Sequence, residues 1–337
     1  MRRVLVIALL AGLLISVPAQ AAGPERSWAH AEIKLVVSHG LMADTVGSFR
    51  PDAPLTQSAL SDLIVGLSSI QGLTAPRSAA PVTMAQLDTQ LVRALGLGDE
   101  ASSIYRAAAA AGLRPPGRFG TEAVARLLGL RKNHPAARDD LERLPSDPAT
   151  RAEAAYSAAQ ILRFSGRELR SVEEAAATFT LPALTPWQQK ILTTAFSRIG
   201  FPYIWGGESD GPRSAFGTQP VGGFDCSGFA WRVYKVQSYA GGGRLGTVLK
   251  GRTAAAMAGE VGPQRRIRPA RLAPADLVFF GRGGPRAKPA QVDHMGIYAG
   301  NGWMIHSSRY GVALVPLTGW YSERLAWGRR PLAEAGL

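Results

Sequence analysis

Cysteine is nearly absent from this chain: Cys226 is the single one among 337 residues. A lone cysteine excludes any disulfide within the chain, and it excludes a zinc site built on several thiolates. The sequence accordingly predicts no metal and no cofactor. A buried cysteine often serves only as a small apolar packing residue, so the residues around Cys226 must decide between packing and chemistry.

Long apolar runs are scarce as well. Val4 to Val17 is apolar, follows two arginines and precedes Ala19-Gln20-Ala21, which is the order of a secretory signal. The run is short for a membrane span, and the segment has no lipobox cysteine. We expect residues 1–21 to be a signal peptide, with a retained anchor as the alternative. The mature protein is then secreted, with no membrane span.

Acidic residues are scarce in the second half. From Pro186 to Leu337, 8 Asp and Glu stand against 19 Lys and Arg, within a chain of formal net charge +13. The densest basic segment is residues 265–271. In an exported protein such a patch favours an anionic surface or polymer over nucleic acid. A solvated basic loop is the alternative.

The first half contains a repeated helix pattern. Ser27 to Val37 predicts an amphipathic helix, Phe49-Arg50-Pro51-Asp52 predicts a turn, and Thr56 is suited to cap a second helix. Similar helix starts are predicted near Thr83, Arg118 and Thr150. A pattern that recurs in this way is typical of a repeat protein.

This pattern resembles the S-layer homology (SLH) repeat, which has a Trp-Ala opening, a Phe-x-Pro-Asp turn and a Thr-Arg-Ala-Glu helix. Trp28-Ala29 matches the opening, and residues 150–153 match the helix. Gln57 and Met84 stand where the family has arginine, so Arg151 alone keeps that signature. The resemblance implies an all-α domain over residues 27–165 that binds an anionic secondary cell-wall polymer. A helical spacer is the alternative.

A junction follows at residues 166–185, which we predict to be a linker. Ser171 to Ala177 favours a short helix, and Leu181 to Thr185 favours an extended segment. Thr185 as N-cap and Pro186 at the first helical position then predict the start of a second domain.

Cys226 lies between a glycine turn and a helix-period apolar run, Phe229 to Val236. This pattern places the cysteine at a helix N-terminus, where the helix dipole favours a thiolate. His294 and His306 lie downstream in strand-like sequence, and they could serve as its base and orienter. We therefore predict a cysteine hydrolase with a Cys-His-His site.

The turn at Gly300-Asn301-Gly302 allows a test of that site. A strict two-residue turn would put His294 and His306 on opposite faces of the hairpin. A three-residue loop or a bulge pairs Gly296 with His306, which makes the two histidines diagonal neighbours on one face. The proposed site therefore predicts an odd-length loop or a bulge.

Five motifs follow one another in this half: Gly200 to Gly207, Phe224 to Gly228, Leu272 to Phe280, Asp293 to Tyr298, and Met304 to His306. This ordered set resembles the NlpC/P60 family of cell-wall peptidases. The resemblance implies a papain-like α+β domain over residues 186–332. In that domain helices pack on an antiparallel sheet. It also implies a cysteine peptidase that cleaves peptidoglycan stem peptides between γ-D-Glu and the diamino acid.

The resemblance also implies substrate contacts. Tyr203 is expected beside the nucleophile, and Asp225 and Ser227 are expected to touch the stem peptide. A helix cap is the alternative for Ser227. The Arg252-Thr253 segment is expected to be structural. Ala275 stands where the family usually has glycine, and the loops 208–223 and 281–291 are insertions.

Two other functions remain open from the sequence. The protein could be a wall-binding structural component whose hydrolase domain is weak or silent. It could also be an amidase or transferase of the same superfamily that acts on an amide outside the wall.

Overall fold

The structure is a computed structural model that describes residues 23–68 and 78–337. The signal peptide expected at residues 1–21 lies outside the described residues. Within those two ranges, every helix is too short or too polar to span a bilayer.

The first half is helical, as predicted. Its helices are α1 (His30–Ser38), α2 (Gln57–Leu67), α3 (Met84–Ala94), α4 (Gly98–Ala110), α5 (Phe119–Leu127), α6 (Arg151–Leu162) and α7 (Arg167–Thr178). The predicted caps are present on α2 and α3: the hydroxyls of Thr56 and Thr83 accept backbone N–H groups in the first turn. Thr150 caps α6 in the same way. Each cap satisfies a helix donor that would otherwise lack a partner.

The segments before these three capped helices meet in a ring of backbone hydrogen bonds. The N–H of Leu55 donates to the carbonyl of Ala149, that of Ala149 to Val82, and that of Val82 back to Leu55, each at 2.8 Å. Each of the three residues stands between a proline and the capping threonine. The repeat pattern thus corresponds to a pseudo-threefold arrangement of α2, α3 and α6.

The segment predicted as a linker is packed. Helix α7 is longer than the predicted 171–177, and it buries Val172 and Ala176. Phe179 then lies edge-on to Trp303 at a centroid distance of 5.1 Å.

The second half combines short helices with an antiparallel sheet. Its helices are α8 (Pro186–Phe196), α9 (Cys226–Trp231) with a π-helical turn at Arg232–Val236, α10 (Leu245–Val248), α11 (Ala254–Gly259), α12 (Trp320–Arg324) and α13 (Pro331–Ala335). Its strands are β1 (Glu208–Ser209), β2 (Arg213–Ser214), β3 (Gly217–Thr218), β4 (Gly223–Phe224), β5 (Leu277–Gly281), β6 (Val292–Gly300), β7 (Trp303–Ser308), β8 (Gly311–Pro316) and β9 (Leu325–Arg329). The last five form one sheet in the order β8-β7-β6-β5-β9. The predicted α+β class is confirmed.

One apolar core runs through both halves. Phe119 of α5 packs on Phe196 of α8 at a centroid distance of 4.9 Å. The buried Arg126 side chain crosses the same boundary, where it donates to the carbonyls of Gly200 at 2.6 Å and Tyr310 at 2.8 Å. The helical half is therefore docked against the sheet-containing half.

Candidate active site

Cys226 is the first residue of α9, as the sequence predicts. Strand β4 leads to it, and Asp225 is the N-cap, whose carboxylate accepts the N–H of Gly228 at 2.5 Å. On the sheet side, the Ser307 hydroxyl donates to the Phe224 carbonyl at 2.7 Å. The position of the thiol is therefore fixed by both the helix and the sheet.

The Cys226 thiol is largely enclosed, and the backbone N–H groups of Met295 and Ser227 point at its sulfur. Burial raises the pKa of the thiol to about 12, and the Asp225 carboxylate acts in the same direction. The expectation that the helix N-terminus favours a thiolate is therefore wrong for the free protein. Helix α9 is only six residues long, and desolvation outweighs its dipole.

The two predicted histidines are in direct contact. His294 Nε2 lies 2.7 Å from His306 Nδ1, with the rings nearly perpendicular. The connection is a tight turn with a bulge between Tyr298 and Gly300, beyond the pair Ile297–Ile305. This register sets Gly296 against His306, as predicted for the bulged hairpin.

Both imidazoles are neutral at pH 7. Burial lowers the pKa of His294 to about 4, and the neighbouring Asp293 carboxylate only partly opposes this. Burial also holds the pKa of His306 well below its usual value, with a further contribution from His294. Met295 follows His294 on β6 and directs its N–H at Cys226, so the neutral thiol lies at the strand residue next to the neutral His294.

Tyr321 of α12 completes this row of side chains, and the sequence reasoning missed it. Its hydroxyl lies 3.2 Å from His306 Nε2, and its ring stands edge-on to the His306 ring at 5.1 Å. The two residues are fifteen apart in sequence, with a strand and a turn between them. No local motif at Trp320-Tyr321 signals this contact.

Tyr203 lies where the sequence predicts, near Cys226 and Asp225. Burial raises the pKa of its phenol, and both neighbours act in the same direction. Its backbone is held from the helical half: the Asn133 side-chain amide donates to the Tyr203 carbonyl, and its oxygen accepts the Tyr203 N–H at 3.3 Å. Asn133, in the segment between α5 and α6, was also missed.

Asp225 and Ser227 both face Arg252. One guanidinium nitrogen, Nη1, lies 3.0 Å from the Asp225 carboxylate and 3.0 Å from the Ser227 hydroxyl. The same side chain pairs with Glu208 at 3.2 Å and donates to the Gly207 carbonyl at 3.1 Å. Arg252 thus ties the loop before β1 to the start of α9, which agrees with its expected structural role.

The inserted loop 208–223 is ordered by short strand pairs and by one carboxylate. Strand β1 pairs with β4, and β2 pairs with β3. Asp210 binds Arg198 at 2.8 Å and Arg232 at 2.6 Å. The loop is thereby anchored to α8 and to the end of α9.

A cleft of about 1070 Å³ opens over His294. The second half lines it with Tyr203, Trp205, Trp320 and Tyr321, and the helical half lines it with Trp28, Asn133, Asp139 and Tyr156. Among the described residues, no three His, Cys, Asp or Glu side chains are arranged to hold a metal ion.

The second half thus combines an antiparallel sheet that carries a histidine pair with a helix that begins at a cysteine. Residues 200–330 match the model of the NlpC/P60 family, and residues 24–59 match that of the S-layer homology domain. The chain therefore carries an NlpC/P60 domain preceded by an S-layer homology domain, in the order that the sequence predicts.

Curated relatives match the second half. A gamma-D-glutamyl-L-lysine dipeptidyl-peptidase of Bacillus cereus is 32% identical over 155 residues, which are 44% of this chain and 38% of that protein. The murein DD-endopeptidase MepH of Escherichia coli is 36% identical over 138 residues, 40% of this chain and 41% of that protein. The crystal structure of an NlpC/P60 family protein from Bacillus cereus shows 30% identity over 45% of this chain and 42% of that chain, with a TM-score of 0.33. The chain spans about two fifths of the length of these relatives.

Proposed function

We propose that this protein is a cysteine peptidase that hydrolyses an amide bond in peptidoglycan stem peptides, between γ-D-Glu and the diamino acid. The observation that carries the proposal is the His294–His306 pair, together with the backbone N–H of Met295, the residue after His294, at the Cys226 sulfur. One relative is named a gamma-D-glutamyl-L-lysine dipeptidyl-peptidase and another a murein DD-endopeptidase, and these two names support the substrate class. Residues 27–165 are the proposed repeat domain, 166–185 the linker and 186–332 the catalytic domain.

The base-competent tautomer follows from the hydrogen bonds. His294 uses Nε2 for the contact with His306, so Nδ1 is the nitrogen left for the thiol. Nδ1 can accept a proton only if the His294 hydrogen is on Nε2 and is donated to His306 Nδ1. His306 then carries its hydrogen on Nε2 and donates it to the Tyr321 oxygen. Tyr321 therefore acts as the acceptor at the end of the row.

In the proposed reaction the thiol proton moves to His294 Nδ1 as the Cys226 sulfur attacks the substrate carbonyl carbon. The backbone N–H of Cys226 and a neighbouring donor stabilise the oxyanion. His294 then protonates the departing amide nitrogen, and an acyl-thioester remains. Water attacks this thioester with its proton taken by His294, which releases the carboxylic acid and restores the thiol.

The proposed substrate contacts come from three residues. The Tyr203 phenol lies beside the thiol, where it can position the scissile carbonyl. Asp225 and Ser227 contact the stem peptide at the N-terminus of α9. Arg252 restrains both of these side chains and so holds each of them in one orientation.

The proposed location is secreted, at the cell wall. The S-layer homology domain at residues 24–59 supports attachment to an anionic wall polymer. Arg151 keeps the family signature, and its guanidinium lies 4.8 Å from the centre of the Phe49 ring and donates to the Phe49 carbonyl at 2.8 Å. It thereby fixes the turn that carries the exposed Arg50.

Digestion of defined muropeptides by the full chain tests the proposal. We expect the wild type to produce two fragments whose summed mass exceeds the substrate by one water, with the cut at the γ-D-Glu bond. Cys226→Ala should lose at least about 10³-fold in rate. Equal product release by both proteins would contradict the peptidase and favour the wall-binding alternative. Products that contain a second amine would instead indicate a transferase.

A further inference from the structure

The cleft continues past the reacting groups into the helical half. From His294 it extends along Tyr203 and Trp205 to Trp28 and Tyr156. Trp28 lies just before α1, and Tyr156 lies on α6. At about 1070 Å³ it is slightly larger than the usual range for ligand sites. The two amino acids that flank a scissile bond leave much of this space unfilled.

Aromatic rings dominate this extension. Trp28 and Tyr156 lie 5.8 Å apart, centroid to centroid. Across the cleft, the side chains of Trp205 and Trp320 are 79% and 50% exposed. Exposed tryptophans that converge on one cleft indicate a binding surface, because isolated packing does not require them there.

The position of Trp28 is fixed by a buried ionic group. His134 meets the Trp28 ring edge-on at 4.3 Å, and its two nitrogens lie 3.1 Å from Glu142 and 3.1 Å from Glu153. These carboxylates raise the pKa of His134 to about 9 against the opposing effect of burial. The imidazolium is thereby held in place, and it presents Trp28 to the cleft in one orientation.

Polar groups lie among the aromatic rings. The Asp139 carboxylate accepts the backbone N–H of Trp205, and Glu32, Asn133 and Ser308 line the same space. Carboxylate, amide and hydroxyl oxygens accept hydrogen bonds from hydroxyl groups. These oxygens are therefore matched better by a ligand with several hydroxyl groups than by an apolar peptide side chain.

We propose that this extension binds an amino-sugar ring of the glycan strand, so that the protein cleaves stem peptides that are still attached to their sugar. A hexopyranose has apolar C–H faces that match the indole and phenol rings, and hydroxyl groups at its edge that match the oxygens of Glu32 and Asp139. The helical half is then part of the substrate site as well as a wall anchor. This inference rests on the proposed peptidase function.

A pair of matched substrates tests it on the full chain. One is a disaccharide-linked stem peptide, and the other is the same stem peptide freed from its sugar. We expect the wild type to show kcat/KM at least about tenfold higher for the sugar-linked substrate. Trp28→Ala and Trp320→Ala should bring this ratio close to one, and Trp28→Phe should keep most of it. Phe216→Ala is the control, because Phe216 is an exposed aromatic outside the cleft.

Binding of the disaccharide alone gives a readout that does not depend on turnover. Cys226→Ala should show a saturable change in tryptophan fluorescence with the disaccharide, and adding Trp320→Ala should abolish it. Because Trp320 is exposed, we expect this variant to fold even if Trp28→Ala does not.

Each outcome decides one of the two proposals. Equal rates on both substrates, or no disaccharide binding, would overturn the sugar site and leave the peptidase intact. A preference for the freed stem peptide would also overturn it, and would assign Glu32 and Asp139 to the ammonium end of that peptide. Disaccharide binding without cleavage of either substrate would overturn the peptidase and retain the sugar site.

Discussion

The Cys226 thiol and the His294 imidazole are both uncharged before substrate arrives. With the pKa of Cys226 raised to about 12 and that of His294 lowered to about 4, the thiol and the imidazole are both neutral between these values. In the proposed reaction the thiol proton is therefore transferred during attack on the carbonyl, and no thiolate–imidazolium pair forms beforehand. Burial is the main cause of both pKa shifts, so the exclusion of water keeps both groups neutral.

This charge state has a measurable pH dependence. The pKa of His294 is lower in the folded protein than its usual 6.5, so its base form persists down to about pH 4. We expect kcat/KM to rise with pH through about 4 and then stay level to pH 8. In the free protein, alkylation of Cys226 by iodoacetamide should be slow at pH 7 and still increase above pH 9. A plateau of the alkylation rate below pH 7 would show that the thiolate is already formed.

The same shift affects stability. Between pH 6.5 and 4 the unfolded chain protonates His294 whereas the folded chain does not. The free energy of unfolding therefore falls as the pH falls through this window. This pH effect acts on the stability of the fold. A denaturation curve measured at each pH distinguishes it from the pH effect on kcat/KM.

Tyr321→Phe tests the acceptor at the end of the histidine row. Without the phenol oxygen, the His306 Nε2 hydrogen has no partner there, and the base-competent tautomer of His294 is less favoured. We expect kcat to fall about tenfold with little change in KM, and the acid limb of the pH profile to move. Tyr105→Phe, in α4 and far from the site, should change neither. A fall in KM and kcat together would point to a role for Tyr321 in binding instead.

At the scale of elements, α9 depends on a close approach to the loop before β1. A Cβ at position 228 would overlap the Gly207 carbonyl and press on the Arg252 guanidinium. Gly228→Ala should therefore displace the first turn of α9, lower kcat/KM by more than about tenfold and reduce the melting temperature. Gly211→Ala, where a Cβ meets open space, is the control. Unchanged labelling of Cys226 in Gly228→Ala would contradict this account.

Elements with local signals could be predicted from the sequence. Thr56, Thr83 and Thr185 cap helices as expected, because a capping hydroxyl needs only its own first turn. The His294–His306 contact was also accessible, since a hairpin register follows from a few residues. The contacts of Tyr321 and Asn133 could not be predicted, because their partners lie on other elements. Sequence periodicity does not indicate such contacts.

The thiol pKa shows a different limit. The N-terminal position of Cys226 was readable, but the degree of enclosure by β6 and the nearness of Asp225 depend on tertiary packing. Ala275 is a further case: its φ of 67° lies in the left-handed region, which explains why a glycine is usual there. The sequence showed the departure but not the backbone conformation.

At the scale of the whole molecule, Arg126 joins the two halves. Its guanidinium donates to the Gly200 and Tyr310 carbonyls and lies 3.5 Å from Glu122. Arg126→Met would leave a buried carboxylate and two carbonyls without this partner. We expect the free energy of unfolding to fall by about 3 kcal/mol, measured by urea denaturation.

Arg106→Met, on the exposed face of α4, should change the free energy of unfolding by less than about 0.5 kcal/mol. A separate early transition in Arg126→Met, with the rest unfolding as in the wild type, would show that the halves unfold independently. A single transition at lower urea would show that they unfold together.

The hydrogen-bond ring of Leu55, Val82 and Ala149 also sets an order of events during synthesis. The ring takes one member from each third of the helical half, so a nascent chain shorter than 149 residues cannot close it. Cys226 is added only afterwards, and N-terminal units of a chain generally fold first. The part of the cleft wall that carries Trp28 can thus form before Cys226 has left the ribosome.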